Sequence, residues 1–319
     1  MTRDLLVLIE LAPTSLARLE AAGFTLHLAL TARERAQAIR TLGPKVRGVL
    51  TNGSTGLAAA EIEALPNLGI ICAQGAGYEQ IDLPAARARG IQVSHGPGTN
   101  DESVADHAIA LLMALVRGIV QADAAVRHGL WSQSRQPRPL LSRKNLGILG
   151  LGNIGQQIAR RGAGGFAMAV AYHSRHPRPD STLQYFPTPQ ALAAWADFLI
   201  VATPGGAGTL HLVDAAVLQA LGPEGYLVNI ARGSVVDSSA LAQALRQRQI
   251  AGAALDVVEG EPEVPSSLLG LDNLILTPHI AGRSPEAVSA TLHLVIDNLE
   301  AFFAGRPLLT PVPEQVQPG

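Results

Sequence analysis

The sequence has almost no cysteine: of 319 residues only Cys72 is one, so no internal disulfide can form, which fits a reducing, cytoplasmic setting. It also has little charge and no excess of either sign, with 16% charged residues, 24 Lys+Arg against 26 Asp+Glu, and a formal charge of -2. A chain so balanced carries no field that gathers nucleic acid or an anionic membrane, and any anion it binds is captured locally. Long apolar runs are lacking too. The most membrane-like stretch, residues 108–116, has about half of the ~18 residues that a spanning helix needs, and Arg117 follows it, so it reads as a buried helix. Met1-Thr2-Arg3-Asp4 leads into a short apolar run that Glu10 ends, with no small-residue cleavage site behind it, so no secretory signal is expected. There is no fixed repeat, heptad array or low-complexity tract.

What is present is apolar substance. Hydrophobic residues make up 47%, enough to offset chain entropy, so disorder is expected only at the Pro-rich end, residues 306–319. The length exceeds the size at which one core usually keeps growing, and two domains are expected. Strand-length apolar runs at residues 5–9, 48–50, 69–72, 146–149, 167–172, 198–202, 227–230 and 274–276 alternate with helical patterns. That alternation predicts an α/β protein of two Rossmann-like, doubly wound parallel-sheet domains with an active-site cleft between them. A helical pattern with apolar positions at Val104, Ala108, Leu111, Leu112, Leu115 and Ile119 predicts one long connecting helix. A second, from Pro285 through Val288, Leu292, Val295, Ile296 and Leu299, predicts a tail that crosses back to the start of the chain. The domain expectation is therefore residues 1–98 plus 285–319 as a discontinuous, flavodoxin-like substrate-binding domain, with residues 99–284 inserted as a dinucleotide-binding domain.

The segment 145–155 reads as a strand ending in GxGxxG and opening a helix. Gly150 allows the tight turn, Gly152 lets backbone approach a pyrophosphate, Gly155 lets the helix pack closely, and the helix N-terminus supplies partial positive charge. NAD sites place an acid about 20 residues on, at the end of the next strand, to accept from the ribose 2′-hydroxyl. Here that strand ends Tyr172-His173-Ser174-Arg175-His176-Pro177-Arg178, with no acid. Arg175 can pair with a 2′-phosphate and Ser174 can donate to it, so NADP(H) is expected in preference to NAD(H). The bland reading is that Arg175 and Arg178 belong to a solvated loop.

Three polar residues follow strand-like runs in the same half: Arg232, Glu261 and His279. Reducing a 2-keto acid needs a cation for the carboxylate, a proton donor for the developing alkoxide, and a group that keeps the donor protonated; Arg232, His279 and Glu261 meet those needs in order. An imidazole ordinarily titrates near ~6.5, and a paired carboxylate favours its protonated form. Taken singly, each has an ordinary structural reading as a loop histidine, a surface cation and a solvated acid. No metal is called for.

With these residues in place, the chain resembles the D-2-hydroxyacid dehydrogenases over nearly its whole length, most closely their glyoxylate/hydroxypyruvate reductase branch. The segments that carry the likeness are GAGYEQID (75–82), GTNDESVADHA (98–108), GILGLGNIG (147–155), VNIARGSVVD (228–237), ALDVVEGEP (254–262) and TPHIAG (277–282). The resemblance implies that Arg232, Glu261 and His279 are the catalytic trio and that the backbone of Ala76 and Gly77 grips the substrate carboxylate, with Asn52 beside the substrate. It implies a cofactor site of Val104, Gly150, Gly152, Asn153, Ile154, Gly155, His173, Ser174, Arg175, Thr203, Pro204, Thr209, Ile230, Ala231, Asp256, His279 and Gly282, in which Asp256 meets the nicotinamide carboxamide. It also implies a homodimer, in which Trp131 either shapes the neighbour's substrate pocket or anchors the interface. Departures from the family pattern are His95, expected to be structural, a 203–209 loop with small side chains, and Arg283, a candidate contact to the substrate or to the other domain. Two rival readings share the scaffold: a dinucleotide-sensing interaction protein like the corepressors, and an NAD-dependent formate or phosphonate oxidiser.

Overall fold

The computed structural model describes residues 3–315. Among them the chain divides into two compact units. One comprises the described residues up to Asn100 together with those from Ser284 onward, and the other is Asp101–Arg283.

The first unit carries β1 (Asp4–Val7), β2 (Thr25–Leu28), β3 (Gly48–Thr51), β4 (Ile70–Ala73) and β5 (Gln92–Ser94), all paired parallel in the order β2-β1-β3-β4-β5. β1, β3 and β4 are buried along their whole length, as continuous apolar strands covered on both faces should be. One face packs on the helix Pro285–Phe303, which drives Leu292, Val295 and Leu299 among Leu5, Val7, Leu50, Ile70 and Cys72. Burial pushes the Cys72 thiol up to about 12, so it is an inert apolar filler.

The second unit carries β6 (Asn145–Leu149), β7 (Ala169–His173), β8 (Gln184–Tyr185), β9 (Phe198–Val201), β10 (Tyr226–Asn229), β11 (Gly252–Leu255) and β12 (Leu274–Leu276). They pair parallel in the order β12-β11-β10-β9-β6-β7-β8. The chain enters at β6, winds out through β7 and β8, and then returns to β9 on the other side of β6. The order therefore reverses between β6 and β9, and the loops at the carboxyl ends of those strands stand at a topological switch point.

Two expectations are corrected. The long helix expected through Val104 and Ile119 is two helices, Asp101–Val116 and Ile119–Arg127, bent by 58°. Gly118 makes the break: its φ is +61°, and an added Cβ would lie 2.8 Å from the Arg138 guanidinium carbon. No single helix is long and apolar enough to cross a membrane, and the first of these two buries Leu111, Leu112 and Leu115 in the core of its own unit. The Pro-rich end was expected to be disordered, yet residues 306–315 dock on β5. Pro311 bridges Ser94, Val312 is fully buried, and the carbonyl of the buried Asn298 side chain accepts from the Leu309 and Thr310 amides. Residues 316–319 of that expectation lie outside the described residues.

Asn298 also donates to the Leu294 carbonyl and the Thr310 hydroxyl, so its amide is satisfied from all sides. Replacing Asn298 by Ala should leave the Leu309 and Thr310 amides unpaired and cost about 2 kcal/mol. A urea titration reads this as a lower midpoint, and an unchanged midpoint would show that the tail docks without it.

Candidate functional site

The glycine turn follows β6 at the switch point. Gly150 has φ +98°, and a Cβ there would lie 2.7 Å from the Ala202 carbonyl oxygen; a Cβ on Gly155 would lie 2.1 Å from the Gly150 oxygen. Both glycines are therefore demanded by packing. Gly152 is not: a Cβ there would meet nothing within 4 Å. It is the N-cap of the helix Asn153–Phe166, so the unfilled space lies where that helix presents its first free N–H groups. A cradle that only an external group would fill, at a 14-residue helix's positive end, fits a pyrophosphate. Asn153 bonds to Asp101, whose carboxyl is raised above its ordinary range by burial. Ile154 packs against the unit's core, and Val104 is buried within it.

Beyond β7, His173 donates from Nδ1 to the Phe186 carbonyl (2.9 Å), and the Ser174 hydroxyl donates to the His176 carbonyl (2.6 Å). Arg175 is exposed and has no side-chain partner among the described residues. Arg178, read from sequence as a loop cation, instead reaches the glycine turn. Its Nη1 donates to the Leu151 carbonyl (3.1 Å), while Nε and Nη2 hold both oxygens of Asp180 at 3.1 and 2.8 Å. On the far side, the loop after β9 closes on itself through the Thr209 hydroxyl, which donates to the Pro204 carbonyl (2.8 Å); Thr203 is half-buried and Pro204 exposed.

Arg232, Glu261 and His279 leave the carboxyl ends of β10, β11 and β12, which are neighbours in the sheet. After β10, the fully buried Asn229 side chain accepts from the Ala231 amide (3.0 Å) and donates to the Arg232 carbonyl (3.0 Å), folding Ile230 and Ala231 inward. Half-buried Arg232 donates to the Ala231 carbonyl (2.7 Å). Next to it, Gly233 packs backbone on backbone, since a Cβ would lie 2.1 Å from the Val258 carbonyl carbon. That contact joins the arginine loop to the loop that carries Glu261. His279 and Glu261 meet directly, Nδ1 to Oε1 at 2.9 Å, with side chains 39% and 27% exposed. The pair is thus reachable from solvent.

The carboxylate of Asp256, 1% exposed, holds the 277–281 loop. Its Oδ1 accepts from the Thr277 hydroxyl (2.6 Å) and the Ile280 amide (3.0 Å), and its Oδ2 accepts from the Ala281 amide (2.9 Å). The loop leaves His279 at φ +53°. His107 lies beside this network, with Nε2 3.1 Å from the Thr277 hydroxyl and 3.4 Å from Asp256. Sequence reasoning gave His107 and Thr277 no role and Asp256 only a cofactor contact. Gly282 is half-buried beyond the loop, and Arg283 is exposed.

Of the first unit's candidates, Asn52 follows β3 and turns its own loop, its side-chain oxygen accepting from the Ser54 and Thr55 amides. Ala76 and Gly77 follow β4; the Ala76 carbonyl takes the His95 Nδ1 donor at 3.0 Å, which gives His95 a structural bond. Trp131, in the second unit, is 64% exposed.

The chain is similar to known proteins along most of its length. Residues 109–281 match the family model described as D-isomer specific 2-hydroxyacid dehydrogenase, NAD binding domain. The chain is 44% identical to a 2-ketogluconate reductase of Gluconobacter oxydans, over 97% of this chain and 98% of that protein. It is 43% identical to a glyoxylate/hydroxypyruvate reductase of Arabidopsis thaliana, over 88% and 90%. Among solved structures, it superposes with TM-score 0.87 and 40% identity on an NADPH-dependent glyoxylate/hydroxypyruvate reductase from Sinorhizobium meliloti in complex with NADP and malonate, covering 98% of each chain.

Because Gly152 is free of packing demands, Gly152→Ala should leave the melting temperature in place yet weaken dinucleotide binding by about tenfold or more. Fluorescence titration with NADPH decides, and unchanged affinity would remove the turn from the binding site.

Proposed function

This chain belongs to the D-isomer-specific 2-hydroxyacid dehydrogenases, and from that premise we propose that it reduces a small 2-keto acid of the glyoxylate or hydroxypyruvate type to the D-2-hydroxy acid, with NADPH preferred. The observation that carries the reading is the 2.9 Å His279–Glu261 pair, set on strands adjacent to the Arg232 loop in the same sheet as the glycine turn. When bound, the dinucleotide supplies the hydride. The chain's own groups do the rest. The backbone from Gly150 to Gly155 and the helix N-terminus hold the pyrophosphate, with Arg175 and Ser174 at the 2′-phosphate. Arg232 takes the substrate carboxylate. Glu261 occupies Nδ1 of His279, so the proton delivered to the keto oxygen leaves from Nε2, and the neutral ring keeps its Nδ1 proton on Glu261. Ala76 and Gly77 offer backbone amides of the kind that bind a carboxylate.

Three features support NADPH: no acid stands in the 174–178 segment directly after β7, Arg175 has no carboxylate partner among the described residues, and the Sinorhizobium relative was solved with NADP. The substrate is open to a second reading, a longer sugar keto acid, because the Gluconobacter relative is a 2-ketogluconate reductase. A homodimer is part of the proposal. The helix Ile119–Arg127 has no buried residue, and Ile119, Val120, Val126, Leu130, Trp131 and Leu140 in this stretch of the chain are exposed apolar side chains that a second copy would cover. A cytoplasmic setting, consistent with the lone thiol, completes it.

A steady-state panel of glyoxylate, hydroxypyruvate and 2-ketogluconate, each with NADPH and NADH, tests the reading. Turnover of the two small acids with NADPH is expected; no turnover despite tight dinucleotide binding would favour a sensing role. His279→Ala should lower kcat by about 10²–10⁴ with NADPH affinity nearly intact. Arg175→Ala should weaken NADPH by about tenfold or more and NADH little, and an equal loss for both would discredit Arg175.

A further inference from the structure

Outside the dyad, the second unit holds another histidine–carboxylate pair. His211, on the loop between β9 and β10, places Nε2 2.7 Å from Oε1 of Glu259, two residues before Glu261. The other oxygen of Glu259 accepts from the Ser238 amide at 2.9 Å, at the start of the helix Ser238–Arg246. Gly260, Pro262 and Glu263 of the same loop are exposed. The start of the loop that carries Glu261 is tethered at Glu259 and at the close Val258–Gly233 contact, and Val258 and Val264 on either side pack on the core. His211 is itself built in: it has φ +50°, a left-handed conformation that an ordinary side chain rarely adopts, and its amide donates to the Ser234 carbonyl beside the Val213–Val236 bridge.

We propose that the His211–Glu259 ion pair is a positioning latch that holds the acid loop so that Glu261 stays on Nδ1 of His279; this rests on the reading of Glu261 and His279 as the proton-donating pair. Geometry favours a latch over a surface ion pair, because Glu259, two residues from Glu261, is gripped from two elements while Gly260, Pro262 and Glu263 around Glu261 are exposed. The charged groups facing His211 are Glu259 and, at 3.9 Å from Nδ1, Asp237, which caps the helix Ser238–Arg246. The bond from Glu259, with Asp237 adding to it, raises the His211 imidazole above its ordinary 6.5. Burial pushes Glu259 up, but the His211 and Ser238 bonds outweigh it and leave that carboxyl below its ordinary range. A raised histidine contributes its stabilisation fully below pH 6.5, and the contribution is lost as pH rises through the folded-state value. The latch is thus tightest in mildly acid solution.

The test compares wild type with Glu259→Gln, His211→Asn, their double variant and Glu261→Gln in NADPH-dependent glyoxylate reduction across pH 6–9. Asn tolerates the left-handed backbone at 211, so that variant keeps the loop's conformation if Glu259→Gln folds poorly. Each single change is expected to lower kcat by about tenfold near pH 6, with the double no worse than either. NADPH affinity should stay within about twofold, and the His211→Asn deficit should narrow as pH rises and the wild-type ring loses its charge. Wild-type kcat in both single variants, additive losses, or a deficit constant with pH would overturn the latch while a crippled Glu261→Gln leaves the proposed function standing. A fully active Glu261→Gln would overturn both.

Discussion

The chemistry of the second unit hangs on one buried charge, the carboxylate of Asp256. A lone ionised group in an apolar interior is costly, and Asp256 offsets that cost with three donors drawn from a single loop: one hydroxyl and two amides. An asparagine has the same shape but would turn an N–H toward one of those amides, so only an acceptor on both oxygens satisfies the loop. The consequence is local strain accepted elsewhere: His279 is held at φ +53°, outside the range an ordinary side chain prefers, because residues on both sides are tied to the same carboxylate. The resemblance gives Asp256 a cofactor contact. In the structure, its Oδ1 is already filled by Thr277 and Ile280, and its bonds go first to positioning the histidine.

A parallel sheet then makes that tether useful. Because β10, β11 and β12 run side by side in one direction, their exits lie along one edge, and three loops far apart in sequence become neighbours. Gly233 against Val258 closes the gap between the first two, and His279 against Glu261 closes the gap between the last two. The loops that carry the guanidinium and the imidazole are shaped by buried polar side chains, Asn229 and Asp256 respectively.

Much of this was legible. Strands buried on both faces, such as Gly48–Thr51 and Phe198–Val201, announce themselves as short apolar runs, and a glycine turn between a strand and a helix has a spacing that chain geometry imposes. The strands that went unread lack that signal. Thr25–Leu28 is a half-exposed edge, Gln92–Ser94 and Gln184–Tyr185 are too short to show a period, and Gly252–Leu255 is built of small residues because the helix Asp101–Val116 packs on it, with Leu115 3.1 Å from where a Cβ of Gly252 would sit. The bend at Gly118 was hidden because apolar spacing continues across it. The docking of Pro311 on Ser94, the His107–Thr277 bond and the His211–Glu259 pair leave no local pattern at all, since each joins residues far apart in the sequence.

Charge tells the same story at larger scale. With a formal charge of -2 spread over 319 residues, attraction for an anionic cofactor has to come from particular groups. Several cations of the second unit are already matched by carboxylates. Arg161 is shared by Glu102 and Asp106, Arg248 is held by Asp272, and Arg178 is held by Asp180 even though it touches the glycine turn. A guanidinium whose charge is matched by its own carboxylate braces the turn but adds little net field there. Among the described residues Arg175 stands on the same loop without such a partner, and in the proposed reading it is the side chain that would tell a dinucleotide with a 2′-phosphate from one without. Reading the loop as two equivalent arginines misses this division, in which one cation braces the glycine turn and the other has no carboxylate partner among the described residues.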